Sequence, residues 1–186
     1  MILVVDLCYR PGSLSAYEFV DPITAIIRGT GRDVRTCHST QVDAALAGDA
    51  EAVILCGTAL RDQEYAGYPD RFAWIRGCAR PVFGICAGLQ VIGRAFGGSL
   101  TACTEIGMTP VRVVRDDPLF ADRASFEAYT LHSIALDPPA ELEVLAVSGA
   151  CVQAVRHRTR PIAGVLFHPE VRNPWVVERF LEYSLH

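Results

Sequence analysis

Cys86 stands in the segment Gly84-Ile85-Cys86-Ala87-Gly88-Leu89-Gln90, while His168 and Glu170 stand in Phe167-His168-Pro169-Glu170 near the C-terminus. A thiol, an imidazole and a carboxylate are the three groups that nucleophilic attack on an acyl carbon requires. The thiolate attacks, the imidazole takes and returns a proton, and the carboxylate fixes the imidazole tautomer. The residue types point to cysteine hydrolase or acyl-transfer chemistry.

These groups need elements that bring them together. Residues 81–85 are apolar and read as a short buried strand, and Ala87 opens a helix whose apolar positions are Leu89, Val91, Ile92 and Phe96. Cys86 therefore falls at a strand-to-helix junction. Flanking glycines are expected because backbone passes close there and takes unusual dihedrals. The helix N-terminus favours the thiolate. Residues 161–167 read as a second strand ending at His168, where Pro169 blocks further ladder pairing and Glu170 follows two residues beyond the base. Strand ends of this kind gather active-site side chains in open α/β sheets.

The two segments resemble those of the class I (triad) glutamine amidotransferases, Gly-Ile-Cys-x-Gly-x-Gln over 84–90 and Gly-Val-x-Phe-His-Pro-Glu over 164–170. The opening strand at 1–6, the turn at Gly97-Gly98-Ser99 and the His132-Ser133 segment extend the resemblance over most of the chain. It implies hydrolysis of the glutamine side-chain amide through a thioester, with ammonia passed to a synthase domain or subunit. It also implies Cys86 as nucleophile, His168 as general base and acid, and Glu170 as orienting carboxylate. The N–H of Ala87 is then one oxyanion donor, and Gln90 with the backbone of Ser133 and Ile134 holds the substrate. The outline is similar to the free-standing glutaminase subunits of GMP synthase and of anthranilate or aminodeoxychorismate synthase, which leaves the ammonia acceptor open.

One departure from the family pattern concerns the second oxyanion donor. Relatives carry Gly-Gly-Pro or Pro-Gly-x-Gly after the third strand, whereas this chain has Cys56-Gly57-Thr58-Ala59. Gly57 keeps a substrate-side position and Thr58 takes the oxyanion position. A β-branched residue resists positive φ, so the expectation is a hole left incomplete in the free protein, against the alternative of an ordinary Thr58 conformation with its N–H still aimed inward. Two other functions stay open: a γ-glutamyl or amide hydrolase acting alone on the same fold, and a non-catalytic regulatory subunit.

Composition agrees with one glutaminase domain over 1–186. The 51% hydrophobic content supports a substantial core, and no apolar run reaches the length of a membrane span. The N-terminus carries no basic, then apolar, leader pattern, so a cytoplasmic location and no membrane partner are expected. The formal net charge of −4, with all basic residues arginine, gives no nucleic-acid footprint. Arg156, Arg158 and Arg160 alternate as one solvated strand face would, or as a dock for an acidic partner. Seven cysteines without paired spacing read as reduced thiols, and His38 and His157 lack ligand-like spacing. No metal and no cofactor are expected.

The order of elements implies an α/β fold: a doubly wound, mostly parallel, flavodoxin-like sheet flanked by helices, with antiparallel additions. Strands are expected at 2–6, 33–37 and 52–56, and helices at 21–28 and 41–47, the latter ended by Gly48. A further helix is expected through Phe72, Trp74 and Ile75. Beyond Gly97, runs at 111–115, 126–131, 142–147 and 151–156 read as antiparallel strands before a helix at 175–185. Asp6 is expected to hold a strand-end turn, and Glu105 lies in a segment similar to one near the glutamine pocket of some relatives.

Overall fold

A computed structural model describes residues 1–121 and 123–185. Its centre is five parallel strands: β1 (Ile2–Asp6), β2 (Val34–His38), β3 (Ala52–Leu55), β4 (Val82–Ile85) and β9 (Ile162–Val165). Between β4 and β9 in the chain lie β5 (Ser99–Val113), β6 (Ser125–Asp137), β7 (Leu142–Val147) and β8 (Val152–His157). One sheet of nine strands results, in the order β2-β1-β3-β4-β9-β8-β7-β5-β6. The pairs from β9 outward to β6 are antiparallel.

Strands β1, β3, β4 and β9 are buried throughout, as parallel strands covered on both faces must be. Because side chains alternate across a strand, successive residues enter opposite cores. Ile2, Val4, Ile54 and Phe83 pack beneath α2 (Asp21–Gly29) and α6 (Trp175–Ser184) with Ile23, Ile27, Val177 and Phe180. Leu3, Val5, Val53 and Val82 pack beneath α4 (Ala87–Ala95) with Leu89 and Ile92. The expected doubly wound arrangement is present, and the three remaining helices, α1 (Ala16–Phe19), α3 (Ala44–Asp49) and α5 (Pro169–Arg172), are short.

Some boundaries differ from expectation for local reasons. Asp43 accepts from the Leu46 N–H at 2.8 Å and starts α3 after a 3₁₀ turn at Ser39–Gln41, so Gly48 lies inside the helix and does not end it. The expected helix through Phe72 is a 3₁₀ helix, Pro69–Arg76, whose buried Phe72 and Ile75 are three apart, the period of that helix. The runs at 111–115 and 126–131 are fragments of the long β5–β6 ribbon. That ribbon has one open face, so its alternating polar residues hide the strand from an apolar count.

The arginines of 156–160 are engaged within the chain. Arg156 reaches Asp117 at 2.9 Å and lies over the Tyr183 ring, and Arg158 reaches Glu143 at 2.7 Å. Arg160 donates to the backbone carbonyls of Arg76 and Cys78. This face ties elements together. No helix among the described residues is long and apolar enough to cross a membrane.

Candidate active site

Strands β4 and β9 pair in parallel with Ile85 opposite Val165, so the residues that follow each strand emerge at the same end of the strands. The Cys86 N–H donates to Val165 O at 2.8 Å. Cys86 itself carries the strained turn, at φ 49° and ψ −103°, a backbone state that costs a side-chain-bearing residue about 1–3 kcal/mol. Of the two tasks expected of the flanking glycines, close backbone approach is the one they perform. A Cβ on Gly84 would lie 2.5 Å from the Gly88 carbonyl carbon, and one on Gly88 would lie 2.3 Å from Leu55 O. They permit strand, elbow and helix to pack in contact, while the cysteine absorbs the dihedral.

His168 follows β9, fixed by donation of its N–H to Tyr129 O at 2.8 Å. Its Nδ1 lies 2.7 Å from Glu170 Oε1, with side chains only 1% and 2% exposed. Phe19 packs against the ring at 5.4 Å between centroids. Burial disfavours the imidazolium, but attraction to the Cys86 thiolate and the hydrogen bond to Glu170 outweigh it, and the His168 pKa is pushed up to about 10. Such a pair equips the imidazole to take the thiol proton. His168 Nε2 makes no geometrically regular hydrogen bond, which leaves it open to a reacting group.

Gly57 sits behind this pair. A Cβ at that position would lie 2.8 Å from His168 Cε1 and 3.5 Å from Cys86 Cβ. Thr58, 3% exposed, donates its hydroxyl to Asp62 Oδ2 at 2.6 Å. Asp62 also accepts from the Tyr9 N–H at 2.6 Å. Thr58 does not take positive φ, as a β-branched residue should under either reading of the oxyanion hole. Ala87 is the first residue of α4, where N–H groups have no acceptor within the helix.

A cleft of ≈ 250 Å³ opens over Cys86, lined by Thr58, Asp62, Ala87, Gln90, Ser133 and Ile134 among others. Gln90 is turned largely toward the protein: its Nε2 donates to Ile134 O at 2.8 Å and its Oε1 accepts from Tyr65 at 2.5 Å. It thereby anchors β6 against α4. Ser133 faces a β-bulge. The β5–β6 register jumps from Ala102↔Ile134 to Glu105↔His132, setting Cys103 and Thr104 against Ser133 alone. The extra residue of the bulge lies on β5 and disrupts the ladder where Ser133 and Ile134 line the cleft.

Sequence reasoning does not single out Asp62 and Tyr65, since both lie in a polar stretch that reads as loop. Asp6 holds the expected turn, accepting from the Cys8 N–H at 2.8 Å. Glu105 pairs with His132 at 3.2 Å, and burial lowers the His132 pKa.

A family model described as glutamine amidotransferase class-I matches residues 18–176. The chain belongs to the class-I glutamine amidotransferase family. One relative of this amidotransferase is the glutamine-hydrolyzing GMP synthase of Bifidobacterium longum, 34% identical over 154 residues. That alignment covers 80% of this chain and 29% of the relative, so the chain spans less than a third of that protein. A glutamine-hydrolyzing GMP synthase subunit of Methanosarcina barkeri is 32% identical over 161 residues, covering 83% of this chain and 82% of the relative. Among solved structures, a Thermoplasma acidophilum protein described as a GMP synthase subunit superposes with a TM-score of 0.86 at 24% identity. The match covers 98% of this amidotransferase chain and 92% of the other, and supports the fold.

Proposed function

We propose that this chain is a glutaminase that hydrolyses the glutamine side-chain amide through a Cys86 thioester and delivers ammonia to a separate synthase subunit. The observation that carries the reading is the buried His168–Glu170 pair, 2.7 Å apart, beside a cysteine held on a strained elbow. The Cys86 thiolate attacks the amide carbon, and the oxyanion is held by the N–H groups of Ala87 and Thr58. His168 then gives its proton to the leaving amine and ammonia departs. Water, deprotonated by His168, attacks the thioester; the C–S bond breaks, glutamate leaves, and the Cys86 thiolate is restored beside protonated His168. Glu170 keeps the imidazole in one orientation throughout.

Backbone of Ser133 and Ile134 receives the α-amino and α-carboxylate ends of glutamine, with Gly57 and Gln90 shaping that site from behind. The place of Ser133 and Ile134 in the lining of the Cys86 cleft favours glutamine over a substrate without those groups. The relatives' names favour a partner of GMP-synthase type as acceptor. The test is a substrate profile of the purified chain over glutamine, glutamine with its α-amino or α-carboxyl group blocked, and γ-glutamyl peptides. Glutamate release from free glutamine alone supports the proposal. Equal release from the blocked compounds would instead establish a general amide hydrolase.

A further inference from the structure

We propose that Cys103, Glu105, His132 and Cys151 form a tetrahedral Zn²⁺ site beside the glutamine cleft. One ligand atom from each lies within 4.8 Å of all the others. Zinc bonds of about 2.3 Å to sulfur and about 2.0–2.2 Å to nitrogen and oxygen require edges of about 3.3–3.8 Å between tetrahedral ligands. The measured edges are 3.2 Å from His132 Nε2 to Glu105 Oε2, 3.3 Å from Cys151 Sγ to Glu105 Oε2, and 3.7 Å from Cys151 Sγ to His132 Nε2. Two thiols, an imidazole and a carboxylate match the borderline character of Zn²⁺.

The site is built by three features of the antiparallel ribbon. Cys103 and Glu105 stand two apart on β5, the spacing that lines one face of a strand, and the register after the bulge sets Glu105 directly across the ladder from His132. The β7–β8 turn supplies Cys151, whose N–H donates to Ser148 Oγ at 3.1 Å. Fully buried Gln153 donates to Glu105 Oε2 at 2.7 Å, the kind of partner that orients a ligating carboxylate. The Glu105 carboxylate is 12% exposed, and its basic neighbour at ion-pair distance among the described residues is His132. The carboxylate is met by the Gln153 amide, the Cys151 thiol and the His132 imidazole, none of them a fixed positive charge, so a cation completes the cluster. Zn²⁺ supplies that charge: uptake displaces the Cys103 and Cys151 thiol protons and forms two thiolate bonds. His132 also lines the glutamine cleft, so the metal would brace the segment of β6 that faces the substrate. These four residues have no local spacing, which is why sequence analysis gives no metal.

The test uses the reduced full chain in a Cys86→Ala background, which removes the reactive thiol as a competing ligand. Zn²⁺ uptake is measured against a chromophoric chelator, and Co²⁺ reports geometry by absorption. One equivalent per chain, tetrahedral Co²⁺ bands with thiolate charge transfer, and release of two protons are expected. Cys103→Ser and Cys151→Ser should each weaken binding ~100-fold or more, beyond the 10–100-fold typical of losing a residue that only orients a ligand. Should a serine variant fail to fold, Zn²⁺ protection of Cys103 and Cys151 from alkylation, read by peptide mass, decides the matter in the unsubstituted pair. Absence of stoichiometric uptake, octahedral Co²⁺, unprotected thiols, or a Cys103–Cys151 disulfide in a protein that takes up no metal when reduced would each overturn the proposal.

Discussion

The His168 imidazole occupies the space that a side chain at Gly57 would fill, since a Cβ there would approach His168 Cε1 to 2.8 Å. The glycine after the third strand thus leaves room for the His168 ring beside Cys86. Gly57→Ala must displace the ring or the loop, and misplacement of a catalytic group by about 1 Å costs on the order of 10²-fold in rate. Steady-state kinetics should show kcat reduced about 100-fold with Tm nearly unchanged; an unaltered kcat would disprove the steric account.

Thr58 is tied to Asp62 through its hydroxyl, which fixes the loop proposed to carry the second oxyanion donor. Losing such a donor costs about 3 kcal/mol of transition-state stabilisation. Thr58→Val keeps the shape but removes the tie, and should lower kcat by about tenfold or more. Thr58→Ser should retain most activity. Equal kcat values for the two variants would show that the hydroxyl does not position the loop.

Tyr65, Gln90 and Ile134 O form a chain from the 3₁₀ turn through α4 to β6. Tyr65→Phe leaves Gln90 Oε1 buried without its donor, a defect worth about 1–3 kcal/mol. The expected result is a KM for glutamine raised about tenfold with kcat less affected, together with a lower Tm. A change in kcat alone would place Tyr65 in the chemical step.

His168 gives a pH dependence with a definite sign. Its folded pKa of about 10 exceeds the ordinary value of 6.5, so its protonated form stabilises the fold fully below pH 6.5. That contribution declines as pH rises and is lost through about pH 10. Urea unfolding of wild type and His168→Gln should show a stability difference that shrinks steadily across this window. A difference independent of pH would refute the ion-pair assignment.

Much of this arrangement is legible in residue order. The apolar runs of β1, β3, β4 and β9 mark strands covered on both faces, and the residues after β4 and β9 must meet once those strands pair. The location of the dihedral strain is not legible, because glycine beside Cys86 signals either conformational freedom or close approach and only the packing distinguishes them. Asp62 and Tyr65 are hidden in a polar loop whose contacts are set by chain segments far away in sequence. The β5 bulge is equally hidden: an alternating half-buried ribbon gives no local sign of where its register slips, yet that slip sets Glu105 across from His132 in the cluster.

The central claim is that Cys86 is the nucleophile, activated by His168, toward glutamine. The most direct measurement is reaction of the purified chain with an electrophilic glutamine analogue, followed by peptide mapping, alongside Cys86→Ala and His168→Ala variants. The account predicts one label per chain on Cys86, protection by glutamine, no labelling in Cys86→Ala and strongly slowed labelling in His168→Ala. Labelling of another cysteine, or of Cys86 at the same rate with and without His168, would contradict it.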